Sequence, residues 1–401
     1  MKIHKVIYKF LSCHFLVCFL CVLLVLPHPV QGQQLIPNPS SATQDNFDSS
    51  PGEALPRRGL FVSVIQNPPT LSSREEITKL IEFAKKAEIE VLFVQIYRSG
   101  KAWFPSGIAD AAPYQVSLKQ AGEDPFALLI KEAHVSGIQV HAWLNMLSLS
   151  TNQDAPLLKK YGTDILTRNR KEKKTLEDYK IDNQYFLEPG DLRVRQELSN
   201  MVEEILRAYP DLDGIQFDYI RYPDKNPAYG FTKINVARFK ASTNLQTVDE
   251  ESQAWKDWKR NQVTAFLNQL IQKTIAIRSD IQISTTGCMN YVRAYHEAFQ
   301  DWAAWLNGGL IQFVTIMSYT KKTEDFEKYI AEAKSKTRDF KKVNIAIGAY
   351  EFLDSSKTFA KQFKLCEHSG GGACVVFHYG SLLENPALQD PLINGKKSKT
   401  E

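Results

Sequence analysis

The chain is sparing with cysteine. Six occur in 401 residues, and three of them (Cys13, Cys18 and Cys21) fall in the first segment. The others, Cys288, Cys366 and Cys374, show no CxxC spacing, so the sequence writes neither a redox pair nor a zinc cluster. Cys366 and Cys374 flank Gly370-Gly371-Gly372, which allows either a disulfide or two buried thiols. Charge of one sign is scarce as well. There are 49 Lys+Arg against 45 Asp+Glu, and Lys2, Lys5 and Lys9 account for three of the excess cations. The remainder is nearly neutral, which excludes the electrostatic footprint of a nucleic-acid binder. A glycine-rich turn is missing after the first apolar run, where Gln66-Asn67-Pro68-Pro69 stands instead. That argues against a dinucleotide-binding open sheet. No cofactor and no metal are expected.

Acidic residues are absent from residues 1–32. Three lysines precede an apolar run from Phe10 to Leu26, Pro27-His28-Pro29 breaks it, and Val30-Gln31-Gly32 offers a small-residue cleavage site. This reads as a signal peptide, with an uncleaved anchor as the alternative because the run approaches spanning length. Either way the folded part is expected to be exported to the periplasm, cell envelope or exterior, touching a membrane only through this segment. Residues 33–56 are rich in Ser, Pro, Asn and Gln and read as a disordered linker. A single domain is expected over 57–394, with a flexible tail at 395–401.

Eight short apolar runs punctuate that domain, starting near Gly59, Glu90, Ile138, Asp213, Ile281, Leu310, Val343 and Ala373. Most are separated by helical patterns, such as 73–87, 191–208, 251–277 and 294–306. Ser72-Ser73 followed by Glu75-Glu76, and Pro125 after Asp124, are helix-start signals. Near-continuous apolar strands alternating with helices indicate parallel pairing. Eight such units predict an α/β fold of the (β/α)8 TIM-barrel type, in which ligands meet the C-terminal strand ends.

Those ends carry polar and aromatic groups. Gln95 and Arg98 close the second strand, and His141, Trp143 and Asn145 the third. Gln216, Asp218, Tyr219, Arg221 and Tyr222 belong to the fourth and its exit, and Tyr319 follows the sixth. Rings, amides and a few charges suit a polyhydroxylated ligand, so the expected partner is a polysaccharide or oligosaccharide. Glycoside hydrolysis needs two carboxyl groups flanking the bond. Asp218 is the first, with Arg221 nearby as its counter-charge. Glu351 is the geometric partner, because the ends of strands four and seven face each other across a barrel mouth. Asp224 and Glu297 are weaker candidates. His141 has the chemistry of a base or a metal ligand, but with no second histidine at ligand spacing a sugar-contacting or satisfied core histidine is the expected reading. The basic run Arg168 to Lys174 is read as a solvated loop.

Several long stretches carry more specific information: Arg58-Gly59-Leu60-Phe61-Val62; DPFALLIKEAHVSGIQVHAWLN from Asp124 to Asn145; FLEPGDLRVRQEL from Phe186; DGIQFDYIRYP from Asp213; YGFTKINVARF from Tyr229; and QDWAAWLNGGLIQFVTIMSYT from Gln300. In this order they resemble the bacterial glycosyl hydrolase-like 10 family over nearly the whole domain. The resemblance implies a barrel acting on a bacterial glycan, with peptidoglycan as one substrate, Asp218 as the strand-four acid, and His141 and Asn145 in its pocket. After strand two the family often carries an acid, whereas this chain reads Arg98-Ser99-Gly100-Lys101-Ala102. That departure motivates an alternative, a glycan-binding barrel without catalysis. A metal-dependent deacetylase, resting on His141 and Asp218 alone, is the third reading.

Overall fold

The computed structural model describes residues 58–224 and 227–394. The expected signal peptide, linker and tail lie outside the described residues. Eight parallel strands form the central sheet: β1 (Arg58–Val62), β2 (Val91–Arg98), β3 (Gln139–Asn145), β4 (Gly214–Asp218), β5 (Gln282–Cys288), β6 (Phe313–Met317), β7 (Val343–Gly348) and β8 (Cys374–Phe377). Each pairs with the next, and β8 returns to β1, so the sheet closes into the barrel that the sequence predicts. Among the described residues, no helix is long and apolar enough to cross a membrane.

Alternation along the strands sorts side chains into two cores, because successive residues face opposite sides of a sheet. Val140, Ala142 and Leu144 on β3, like Ile215 and Phe217 on β4, face the surrounding helices. Phe61, Phe93, Trp143, Phe313 and Val375 fill the barrel interior. The helix Leu192–Ala208 shows why the outer layer forms. Asp191 caps it by accepting from Arg193 N, and its buried stripe of Val194, Leu198, Val202 and Ile205 repeats at helical spacing. Each buried aliphatic side chain of that stripe contributes roughly 1.5–3 kcal/mol. The helix packs against the long helix Gln253–Ile277, and its stripe shares one apolar core with the outward residues of the strands.

Glycine is required at one interior position. A Cβ on Gly214 would lie 2.3 Å from the His141 ring, which fills the space on the neighbouring strand. Elsewhere the structure departs from the sequence reading. The helix expected over 294–306 is two helices, Tyr291–His296 and Trp302–Asn307. Phe299 between them adopts a left-handed backbone, φ 52°, which no helix tolerates. The loop after β2 contains an unexpected helix, Ala112–Ala121. The basic run is only partly solvated. Arg168 donates to Phe231 O and to the Tyr179 hydroxyl, and Arg170 stacks 4.5 Å over the Phe231 ring. Cys366 and Cys374 form a disulfide, and Cys288 is a buried free thiol.

Candidate active site

Asp218 ends β4 facing into the barrel and is 5% exposed. Its side chain is fixed from three directions. Trp143 Nε1 donates to Oδ2 at 3.0 Å, Tyr219 N donates to Oδ1 at 2.7 Å, and the Thr286 hydroxyl from β5 also donates to Oδ1. Arg221 Nη1 stands 3.8 Å from the same Oδ1. The chain turns sharply at this point, because Tyr219 has φ 56°. That turn lays the Arg221 guanidinium 4.2 Å from the centre of the Tyr219 ring. Asn145 is the register partner of Asp218 on β3. Its Oδ1 accepts from Gln95 Nε2 at 3.1 Å, and Gln95 Oε1 accepts from the Ser63 hydroxyl at 3.0 Å. A buried amide chain therefore links β1, β2 and β3 beside the carboxylate.

An aromatic wall continues around the mouth. Phe377 at the end of β8 packs against Trp143, Tyr319 and Tyr350. Burial, with the nearby Asp218 charge, raises the Tyr319 phenol well above its ordinary value, so it acts as a hydroxyl at any ordinary pH. A cleft of about 550 Å³ opens beside this wall. Tyr219, Arg221, Asp224, Asn290, Arg293 and Tyr319 are among its lining residues, and Arg293 Nη1 pairs with Asp224 at 3.0 Å. That volume is typical of a small-ligand site.

The sequence-predicted residues divide into groups. Gln95, Trp143, Asn145, Asp218, Tyr219, Arg221 and Tyr319 come together at the mouth, and Arg98 is half-buried at the end of β2. Gln216 is fully buried one inward position below Asp218, where its Oε1 accepts from Ser284 and Thr315 hydroxyls at 3.0 and 3.3 Å. His141 lies deeper and is also fully buried, with ring contacts to Phe93 and Phe313. Burial pulls its imidazole down to about 4, so it is a neutral core residue that no sugar reaches. Tyr222 turns away from the mouth and bonds Glu188, whose carboxyl is raised by complete burial. Placing Gln95, His141, Gln216 and Tyr222 in contact with substrate is therefore corrected to a supporting role, since each is no more than 1% exposed. Glu351 is half-buried at the end of β7 and interacts with the Tyr350 hydroxyl; it is not among the residues lining the cleft.

Sequence reasoning passed over Ser63, Arg293 and Phe377. Phe377 was accessible to it, as the last inward residue of β8. Arg293 was not, since it sits on a short helix whose direction no periodicity fixes. Among the described residues, no group of three or more His, Cys, Asp or Glu side chains gathers at metal-binding spacing.

Comparison with known proteins supplies a family. The sequence model described as "Glycosyl hydrolase-like 10" matches residues 57–361. "Glycosyl hydrolase DigH" of Escherichia coli is 20% identical over 313 residues, covering 70% of this chain and 69% of that protein. "Glycosyl hydrolase YngK" of Bacillus subtilis is 24% identical over 263 residues, covering 61% and 49%. The glycoside hydrolase domain of PgaB (BpsB) from Bordetella bronchiseptica superposes with a TM-score of 0.64 at 15% identity, covering 84% of this chain and 98% of that one. The alpha-L-fucosidase isoenzyme 2 from Paenibacillus thiaminolyticus gives 0.60 at 14% identity, covering 85% and 49%. These superpositions show a shared barrel fold.

Proposed function

We propose, starting from the fact that the chain belongs to the glycosyl hydrolase-like 10 family, that it is an exported glycoside hydrolase cleaving a bacterial glycan such as peptidoglycan. The observation that carries this reading is the setting of Asp218. A carboxylate held by donors from Trp143, Tyr219 and Thr286 lies beside Arg221, and its chain neighbours Tyr219 and Arg221 line a cleft walled by rings and polar groups. A carboxylate so fixed attacks the anomeric carbon or activates a water, and Tyr319, which lines the cleft, offers aromatic surface to a pyranose ring. Export rests on the basic and apolar leader of residues 1–32. Secretion of a reporter fused behind that leader tests it, and retention of the reporter in the cytoplasm counts against it.

The second carboxyl group has two candidates. Glu351 stands on the short 3-10 turn Ala349–Phe352 that follows β7. Asp224 has a specific observation in its favour: it lines the cleft together with Arg221. The experiment compares Asp218→Asn, Asp224→Asn and Glu351→Gln on purified glycan strands. Asp218→Asn is expected to abolish cleavage. The variant lacking the general acid is expected to recover turnover on aryl glycosides, whose leaving groups need no proton. Undiminished cleavage by Asp218→Asn would sink the assignment. Tight glycan binding by the native chain with no turnover on any polymer would favour the non-catalytic barrel.

A further inference from the structure

We propose that the cleft beside Asp218 contains an anionic subsite, in which Arg221, with Arg98 and Arg293 around it, receives a carboxylate carried by the sugar unit next to the scissile bond. This rests on the hydrolase reading for the position of that bond, and the subsite itself rests on Arg221. The side chain is 8% exposed and lines the cleft, yet its enclosed Nε and Nη1 make no hydrogen bond. The Asp218 oxygen at 3.8 Å is too far to accept one, and Asp224 turns its carboxylate to Arg293 instead. A guanidinium has five N–H donors in a planar fork and stays charged, so leaving the three on Nε and Nη1 buried and empty is costly. A carboxylate meeting the edge of the guanidinium that borders the cleft matches it in shape and charge, whereas a sugar hydroxyl matches it only in hydrogen bonding.

The surrounding charges point the same way. Arg98 makes no side-chain hydrogen bond or ion pair among the described residues, and its charge is felt at Tyr219. Arg293 lines the cleft with Arg221, and Arg98 adds its charge from the end of β2; against these three guanidinium groups stand two aspartates, Asp218 and Asp224, which leaves spare positive charge for a ligand to balance. The same carboxylate chemistry occurs in two sugar types: a uronic acid, with the group on the ring, and muramic acid, with the group on an ether substituent. A neutral or amino sugar lacks it.

Titration calorimetry on the purified chain tests this with two matched pairs. One is an oligogalacturonate and its carboxyl-reduced form. The other is peptide-free peptidoglycan strands and their carboxyl-reduced form. At least one acidic ligand is expected to bind about tenfold or more tightly than its reduced partner, and the pair that discriminates identifies the source. Arg221→Gln is expected to bring that ratio close to one, Arg221→Lys to keep part of it, and Arg98→Gln to lower it less. Equal binding within both pairs, or discrimination that survives Arg221→Gln, overturns the proposal. The pairs are first measured on the unaltered protein, so the result stands even where the buried substitution prevents folding. Cleavage assayed in parallel keeps the two readings apart. Discrimination without cleavage rejects the hydrolase and keeps the subsite, and cleavage without discrimination does the reverse.

Discussion

Replacing Asp218 by asparagine changes one atom, and the structure says what that atom costs. Oδ2 accepts from the Trp143 indole and Oδ1 from the Tyr219 backbone N–H. Both donors are nitrogens that cannot reverse role. An amide has a single acceptor oxygen, so either orientation turns its NH2 onto an N–H. One buried donor is left unpaired at a cost of about 1–3 kcal/mol. Arg221 also loses its nearest anion, adding to the penalty at a site where both groups are less than one-tenth exposed. Trp143→Phe in the same background removes the displaced indole donor. The double variant is therefore expected to be about 1–2 kcal/mol more stable than the sum of the single losses predicts. Urea unfolding of the four proteins gives that coupling, and a parallel glycan-cleavage assay gives the activities. Stability is expected to recover in the double variant while cleavage stays down by about 10³-fold or more. Additive losses within about 0.5 kcal/mol would refute the hydrogen-bond argument. Cleavage returning with stability would mean that Asp218 serves only to hold the fold.

Other expectations follow from the same geometry. Gly214→Ala drives a methyl into the His141 ring and is expected to cost about 3 kcal/mol, with partial recovery on adding His141→Ala, both read by urea unfolding. The His141 imidazole sits at about 4 in the folded protein, against about 6.5 in an unfolded chain. Between those values the unfolded chain binds the extra proton, so stability falls as the pH drops through that window, by up to about 1.4 kcal/mol per pH unit. The native protein should therefore lose more stability there than His141→Leu, and parallel pH–stability curves would contradict the assignment. Removing the Cys366–Cys374 disulfide, which closes a loop of sequence separation 8, should cost about 2.5 kcal/mol by the chain-entropy estimate. An unchanged unfolding midpoint in the Cys366→Ala, Cys374→Ala protein would show that the bridge adds nothing.

The order of strands and helices was legible because it depends on local pattern. Alternating apolar residues at Ile215 and Phe217 mark one face of β4 whatever surrounds it. The same alternation puts Trp143, Asn145, Gln216 and Asp218 on the opposite, inward face. Depth along the barrel was not legible. His141 and Asp218 both face inward, but the register that pairs His141 with Gly214 puts the histidine two inward positions below Asn145, inside the packed interior. Register is fixed by pairing between distant segments, which no single strand's pattern contains.

By itself, the sequence determined the barrel, the strand-end position of Asp218 and the aromatic, amide-rich character of its surroundings, because these follow from periodicities of two and 3.6 and from residue type. Only the tertiary structure decided which neighbours meet. The left-handed turn at Tyr219 folds Arg221 back into the cleft while Tyr222 leaves for Glu188. Closing the barrel then brings Trp143 from β3 and Thr286 from β5 onto one carboxylate, and puts Asp224 and Arg293 into its cleft. Those contacts join residues up to 75 positions apart. They exist because packing and hydrogen bonding act through space, at distances that local sequence pattern does not encode.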